Sequence, residues 1–157
     1  MIHLIFSLLL LWMPGPKDVP VKYLSKYPLD EYPWIDANPH IQGIWSLKED
    51  TDVHNYFVVE RDGHRRLNMT YMNRGGSNRG LEHATAFFSE VGGVRFLNAP
   101  YSSFDEQQTF NGKVLLRVDE LEKKNYWTMV ATLVTDTNIY KMKSSDELRA
   151  YVEKNMN

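Results

Sequence analysis

Residues 54–72 read HNYFVVERDGHRRLNMTYM, and this stretch decides the fold class. Two runs rich in β-branched and aromatic residues flank Asp62-Gly63, a dipeptide that readily takes the positive φ angles of tight antiparallel hairpins. A two-residue loop there sets Arg61 opposite His64, Glu60 opposite Arg65, Val58 opposite Leu67 and Tyr56 opposite Met69. One face then carries Tyr56, Val58, Leu67, Met69 and Tyr71. The other carries Asn55, Phe57, Arg61, His64, Arg66, Asn68 and Thr70. Such a division is expected of an antiparallel sheet with one wet face. A one-residue slip would turn the apolar set to solvent.

The same punctuation recurs at Gly92-Gly93 and Asn111-Gly112. The first places Glu90 opposite Arg95 and Phe88 opposite Leu97. Phe87, Val91, Val94 and Phe96 make the other face apolar too, which predicts a strand pair covered on both sides, by the final helix or the aromatic leader. Farther on, Val114, Leu116 and Val118 alternate with Leu115, Arg117 and Asp119. Trp127, Met129, Ala131 and Leu133 alternate with Tyr126, Thr128, Val130 and Thr132. Strands are expected at about 43–49, 54–61, 64–72, 81–91, 94–99, 106–110, 113–121, 126–134 and 138–142. The fold class is therefore mainly β, an antiparallel up-and-down meander of eight to nine strands closing as a barrel, with a β-sandwich as the alternative. Ser144-Ser145-Asp146-Glu147 is a capping box. It opens an amphipathic helix over 145–154, with Leu148, Tyr151 and Val152 on one face.

One domain suits 157 residues. Residues 1–13 form an apolar segment that is too short to span a bilayer and has the length of a signal h-region. It lacks a basic n-region, and no A-x-A site follows. Export to the periplasm or the extracellular space is the expected localisation, with an uncleaved anchor or a docked apolar helix as alternatives. Residues 14–40 hold six of the seven prolines and read as an extended leader. Tyr23, Tyr27, Tyr32 and Trp34 are expected to pack on the outside of the 41–157 domain. A net charge of −2 gives no field for nucleic acid. With no cysteine, the chain has neither disulfide, zinc-thiolate site nor thiol nucleophile.

Gly43-Ile44-Trp45 opens the first strand of the domain after a non-strand leader. It resembles the G-x-W start of lipocalins and related calycins. That resemblance implies an eight-stranded barrel whose closed end is plugged by Trp45 and covered by an arginine from a late strand, for which Arg117 is the nearest match. Arg117 comes early for that role, and Thr135-Asp136 only echoes a further lipocalin motif. A second resemblance rests on Ala86 to Asn98, on Val114-Leu115-Leu116-Arg117-Val118 and on Ser144 to Tyr151. These look like small uncharacterised exported bacterial proteins, which bring no activity with them.

The candidate chemistry is sparse. His3, His40, His54, His64 and His83 form no metal-ligand spacing. There is no G-x-S-x-G, and Ser102-Ser103 are read as part of a loop. Asp119, Glu120 and Glu122 read as solvated charges near a turn. Residues 74–80, RGGSNRG, read as a mobile hairpin connection, since a strand rather than a helix follows them. Asn68-Met69-Thr70 is a sequon read as chance. No cofactor, metal or catalytic residue is expected. The candidate cavity lining is Tyr56, Leu67, Met69, Tyr71, Arg117, Trp127 and Met129, suited to a small apolar or amphipathic ligand. The alternative is a structural or protein-interaction domain with a filled core and an exposed patch at the leader aromatics. An enzyme of unknown reaction is the third reading. No stable membrane span is expected, and the protein partner is unspecified.

Overall fold

The computed structural model describes residues 5–11, 19–37, 39–47, 55–73, 83–105, 108–123 and 127–156. Strand β1 (Ile5–Leu11) comes first in the chain. Seven strands then form an antiparallel meander: β2 (Gly43–Leu47), β3 (Asn55–Asp62), β4 (Arg66–Asn73), β5 (His83–Val91), β6 (Val94–Asp105), β7 (Gln108–Lys123) and β8 (Trp127–Leu133). Each pairs with the next, and the sheet curls into a half-barrel. Helix α1 (Ser145–Asn155) follows. In β1, residues 5–8 lie parallel to 44–47 of β2, and residues 7–11 lie parallel to 128–132 of β8.

The meander has seven strands where eight to nine were expected. Asn111-Gly112 is not a turn: Asn111 pairs with Ser102 and Gly112 with Tyr101, inside a ladder that runs to Asp105 opposite Gln108. The expected strands at 106–110 and 113–121 are thus one. Gly112 serves a close approach instead. A Cβ there would lie 2.9 Å from the Ser25 carbonyl oxygen and 3.0 Å from Leu24 Cβ. Ser25 donates its amide to the Lys113 carbonyl at 2.8 Å and accepts the Lys113 amide at 2.7 Å. Lys113 turns its amide and carbonyl to the side away from β6, where β8 does not reach it, since the β7–β8 ladder stops at Leu116 opposite Leu133. The last expected strand, 138–142, is a short 3-10 turn at Ile139–Lys141. Asp136 takes the Asn138 amide at 2.8 Å and starts that turn.

The β3–β4 loop also departs from expectation. Asp62 pairs with Arg66, so the loop is three residues, Gly63 to Arg65, with Gly63 at φ +70°. Val59 therefore faces Met69 and Phe57 faces Tyr71. On β4 Leu67 and Met69 face inward as expected, but on β3 the inner positions belong to Phe57 and Val59, not to Val58. The leader holds the longer loop in place. Ala37 donates to the His64 carbonyl at 2.7 Å, and Arg65 reaches Asp36 at 3.1 Å. The Gly92-Gly93 hairpin has the expected register, with Glu90 opposite Arg95 and Phe88 opposite Leu97.

The sheet is covered on both faces. Inside lie Trp45, Val59, Leu67, Ala86, Phe88, Leu97, Leu116, Met129 and Ala131, joined by Val19, Leu24, Ala37 and Ile41 of the leader. Outside, Leu148 and Val152 of α1 bury Val91, Phe96 and Leu115 together with Leu29 and Ile139. Each such aliphatic, fully buried, contributes about 1.5–3 kcal/mol. Helix α1 begins at the expected cap: Ser144 accepts the Glu147 amide at 3.1 Å, while Glu147 reaches one residue further back than a capping box requires, to the Lys143 amide at 2.9 Å. In β7 a bulge at Asp119 puts Val118 opposite Ala131 but Glu120 opposite Val130. The extra residue switches the inward parity of the strand, so Leu121 stands opposite Met129.

Candidate functional site

Trp45 anchors one end of the interior. Residues Pro39–Ile41 form a 3-10 turn just before β2, and the Trp45 indole Nε1 donates to the Ile41 carbonyl at 2.6 Å. Burying an indole with its one donor satisfied removes the main cost of placing tryptophan in a core. Trp45 stands opposite Phe57 on β3. These two, with Ile41, Val59, Leu67, Met69, Leu97 and Met129, line a small, partly open apolar space of about 10 Å³.

Of the seven residues expected to line a cavity, Leu67, Met69 and Met129 meet around this space. Tyr56 occupies an outward register position next to Phe57. Tyr71 pairs with Phe57 and Trp127 with Lys123 along the ladders. The side chains of all three lie outside the described residues. Arg117 is on the outer wall, the face opposite Trp45. Its Nε sits 2.7 Å from Asp119 Oδ1, and its side chain is 47% exposed. The bulged Asp119 also accepts from the Thr132 hydroxyl at 3.4 Å, so this corner is a small surface polar network. Arg117 therefore neither lines the interior nor covers Trp45. Ser102 and Ser103 are within β6, not in a loop, and Asp119, Glu120 and Glu122 lie near the end of β7, which stops at Lys123. Residues 74–80, His3 and His54 lie outside the described residues.

Periodicity alone missed Phe57 and Val59, because the loop was read one residue short. It also missed the leader. Val19, Leu24, Leu29, Ala37 and Ile41 are buried, so the leader is part of both cores. Of its four aromatics, Tyr23 packs partly buried against the inner core and the other three are exposed: Tyr27 at 39%, Tyr32 at 61% and Trp34 at 67%. Tyr32 and Trp34 meet edge to face with centroids 6.4 Å apart. Two surface grooves flank them. One, of about 470 Å³, is lined by Asp30, Trp34, Ile35, Glu90 and Arg149. The other, of about 550 Å³, is lined by Pro33, Asp36, Asp62, His64, Arg65 and Arg66.

The platform beneath this pair is fixed from three sides. Arg149 of α1 contacts Asp30 at 2.6 Å and donates to the Glu90 carbonyl at 2.7 Å, joining helix, leader and the β5–β6 hairpin. Asn98, fully buried, accepts the Leu29 amide at 2.8 Å and donates to Ser89 Oγ at 2.8 Å. The Asp36–Arg65 contact closes the third side. Elsewhere, the Tyr151 hydroxyl donates to Asp136 at 2.6 Å. That bond holds the Asp136 carboxyl below its ordinary range and pushes the Tyr151 phenol up. Asp136 also takes bonds from Asn138, so its charge is spent on the turn that seats α1.

Among the described residues, no cluster of three or more His, Asp or Glu has metal-ligand geometry. No described helix is long and apolar enough to cross a membrane. Comparison of the chain with protein-family models, curated proteins and solved structures returned no match.

Proposed function

We propose that this chain is a protein-interaction β-domain with a filled interior, and that its partner docks on Tyr32 and Trp34. In this reading β1 completes the curled sheet as a lipocalin-like barrel, and the protein works outside the cytoplasm. The observation that carries the reading is the exposed Tyr32–Trp34 pair on a segment whose aliphatic residues are buried. Exposed tryptophan and tyrosine on a fixed backbone are the side chains that most often dominate protein interfaces. The interior supports the same choice over a small apolar ligand. Among the described residues, the apolar space beneath Trp45 amounts to about 10 Å³, room for about one water, whereas pockets for small organic ligands run to roughly 300–1,000 Å³.

Point variants test this better than deletion of the leader, since the leader supplies core residues. Tagged full-length protein and its Tyr32→Ala/Trp34→Ala variant are used to capture partners from the native secretome, and the same proteins are titrated with a fluorescent fatty-acid probe. The expected result is one identified partner, rebound after purification and weakened at least about tenfold by the double substitution, with no saturable probe binding. Saturable probe binding, with partner capture indifferent to the substitutions, overturns the proposal in favour of a ligand carrier.

A further inference from the structure

The seam between β2 and β8 has features of a second binding site. An odd number of antiparallel strands leaves the first and last running in the same direction, so β2 and β8 cannot close on each other as an antiparallel pair. Within the meander each has one neighbour, β3 for β2 and β7 for β8. Their outer rows of amides and carbonyls need another partner, because unpaired strand edges recruit any extended chain within reach.

Strand β1 sits there, but as an imperfect occupant. It is parallel to both neighbours, and parallel pairing is slightly the weaker kind per residue. Residues 5–8 pair with β2 and residues 7–11 with β8, a stagger that the curled sheet also gives β5 and β7, so it is the parallel direction that sets β1 apart. Its sequence, IFSLLLL, is uncharged and free of proline and glycine, yet four of its seven residues are leucine. The residues most enriched in strands are instead valine, isoleucine, threonine and the aromatics. A guest strand running the other way would be antiparallel to β2 and β8 at once, continuing the alternation of the whole meander.

We propose that this seam is a strand-acceptor site, and that β1 is a displaceable plug in it. The guest is an extended, uncharged, proline-free segment of a protein partner, about as long as β1 and richer in β-branched residues, added antiparallel to both edges. Main-chain bonds supply the affinity, as in other cases of strand addition. This inference rests on β1 being the strand that completes the sheet, and it is independent of Tyr32 and Trp34.

The chain has no cysteine, so a Ser7→Cys/Thr128→Cys variant of the full chain carries one thiol pair at directly opposed register positions. A fluorescein-labelled peptide of alternating valine and threonine, with two terminal lysines for solubility, is the probe. The expected outcome is an intramolecular disulfide in the monomer, saturable peptide binding to the reduced protein, binding at least tenfold weaker after oxidation, and recovery on reduction. If the thiols do not pair, or pair only between molecules, β1 is not the resident strand and the inference falls with that reading. If the disulfide forms but the peptide does not bind, or binds oxidised and reduced protein equally, the strand-acceptor inference alone falls.

Discussion

Gly112→Ala is the substitution on which the account of the leader can be judged. Nothing about the residue's own backbone requires glycine: among the described residues Gly43, Gly63, Gly92 and Gly93 have positive φ, and Gly112 does not. By the general rule, alanine at an unstrained glycine stabilises by about 0.4–1 kcal/mol, through the unfolded chain. The structure reverses the sign. The new methyl would stand 2.9 Å from the Ser25 carbonyl oxygen and 3.0 Å from Leu24 Cβ, both on the leader. Relief means moving the leader away, and Ser25 and Lys113 exchange two main-chain bonds of 2.8 and 2.7 Å at that point. Each net bond is worth about 0.5–1.5 kcal/mol, and Leu24 loses part of its burial as well. Against the generic gain, the expected net loss is about 1–3 kcal/mol.

Equilibrium urea unfolding, followed by tryptophan fluorescence and far-UV circular dichroism, measures that loss at constant slope. In a chain of this size the melting temperature should fall by about 2–4 °C per kcal/mol. Gly63→Ala is the reference, because a Cβ there meets nothing within 4 Å and only the φ of +70° resists it. Limited proteolysis separates the two variants: Gly112→Ala exposes the leader around Lys22 and Lys26 to trypsin, whereas Gly63→Ala does not. A Gly112→Ala protein as stable as the parent, or more so, would refute the claim that the leader is held tightly against β7 by the Ser25–Lys113 bridge.

Three further outcomes follow from the same contacts. Asn98→Ala leaves the buried Leu29 amide and Ser89 hydroxyl without their partner; the expected cost is about 1–3 kcal/mol for each orphaned group, read as a lower urea midpoint. Leu148→Ala should cost about 2–5 kcal/mol in the same assay, since this residue is fully buried between α1 and the outer face of the sheet. Tyr151→Phe removes the hydroxyl that holds the Asp136 carboxyl low. The folded carboxyl titrates below its ordinary value, so the stabilisation is present above about pH 4 and is lost as pH falls through the folded pKa. The phenol is raised, so at the alkaline end the advantage is full below about pH 10 and fades as pH rises through the folded value. Urea midpoints of parent and variant should therefore differ near neutrality and converge at both extremes; a constant difference from pH 2 to 8 would contradict the assignment.

The parts of the fold that were legible in sequence depend on neighbours in sequence. The Gly92-Gly93 register follows from the dipeptide itself, with both glycines at positive φ. The start of α1 follows from Ser144 and Glu147, three residues apart. What was not legible depends on distant chain. Asn111-Gly112 has turn composition, but its glycine answers to Leu24 and Ser25, far away in the leader. The loop after Asp62 gains its third residue where Ala37 and Asp36 hold it. That one residue moves Phe57 inward in place of Tyr56. The bulge at Asp119 exchanges inward parity within β7, which no strict alternation can announce. At the candidate site, Leu67, Met69 and Met129 were found by period-two alternation. Arg117 was chosen on resemblance, and its place in an apolar run has a simpler cause. The outer face of β7 is apolar at Leu115, under α1, and solvated two residues later beside Thr132.

Why Tyr32 and Trp34 are exposed matters more than that they are. A slack linker exposes everything, yet here Leu29 and Ala37 on either side are buried to 1–2%. The segment between them is pinned by Arg149 to Asp30 and by Arg65 to Asp36. Between Leu29 and Ala37 the backbone thus sends its flanking aliphatic side chains into the core and leaves its two aromatics outside, where burial would otherwise favour them most. A backbone already ordered loses little further entropy when a partner arrives, and aromatic rings lose less than flexible side chains do. Held this way, the pair can be covered at low ordering cost, and the grooves on either side give a partner polar groups with which to fix its orientation.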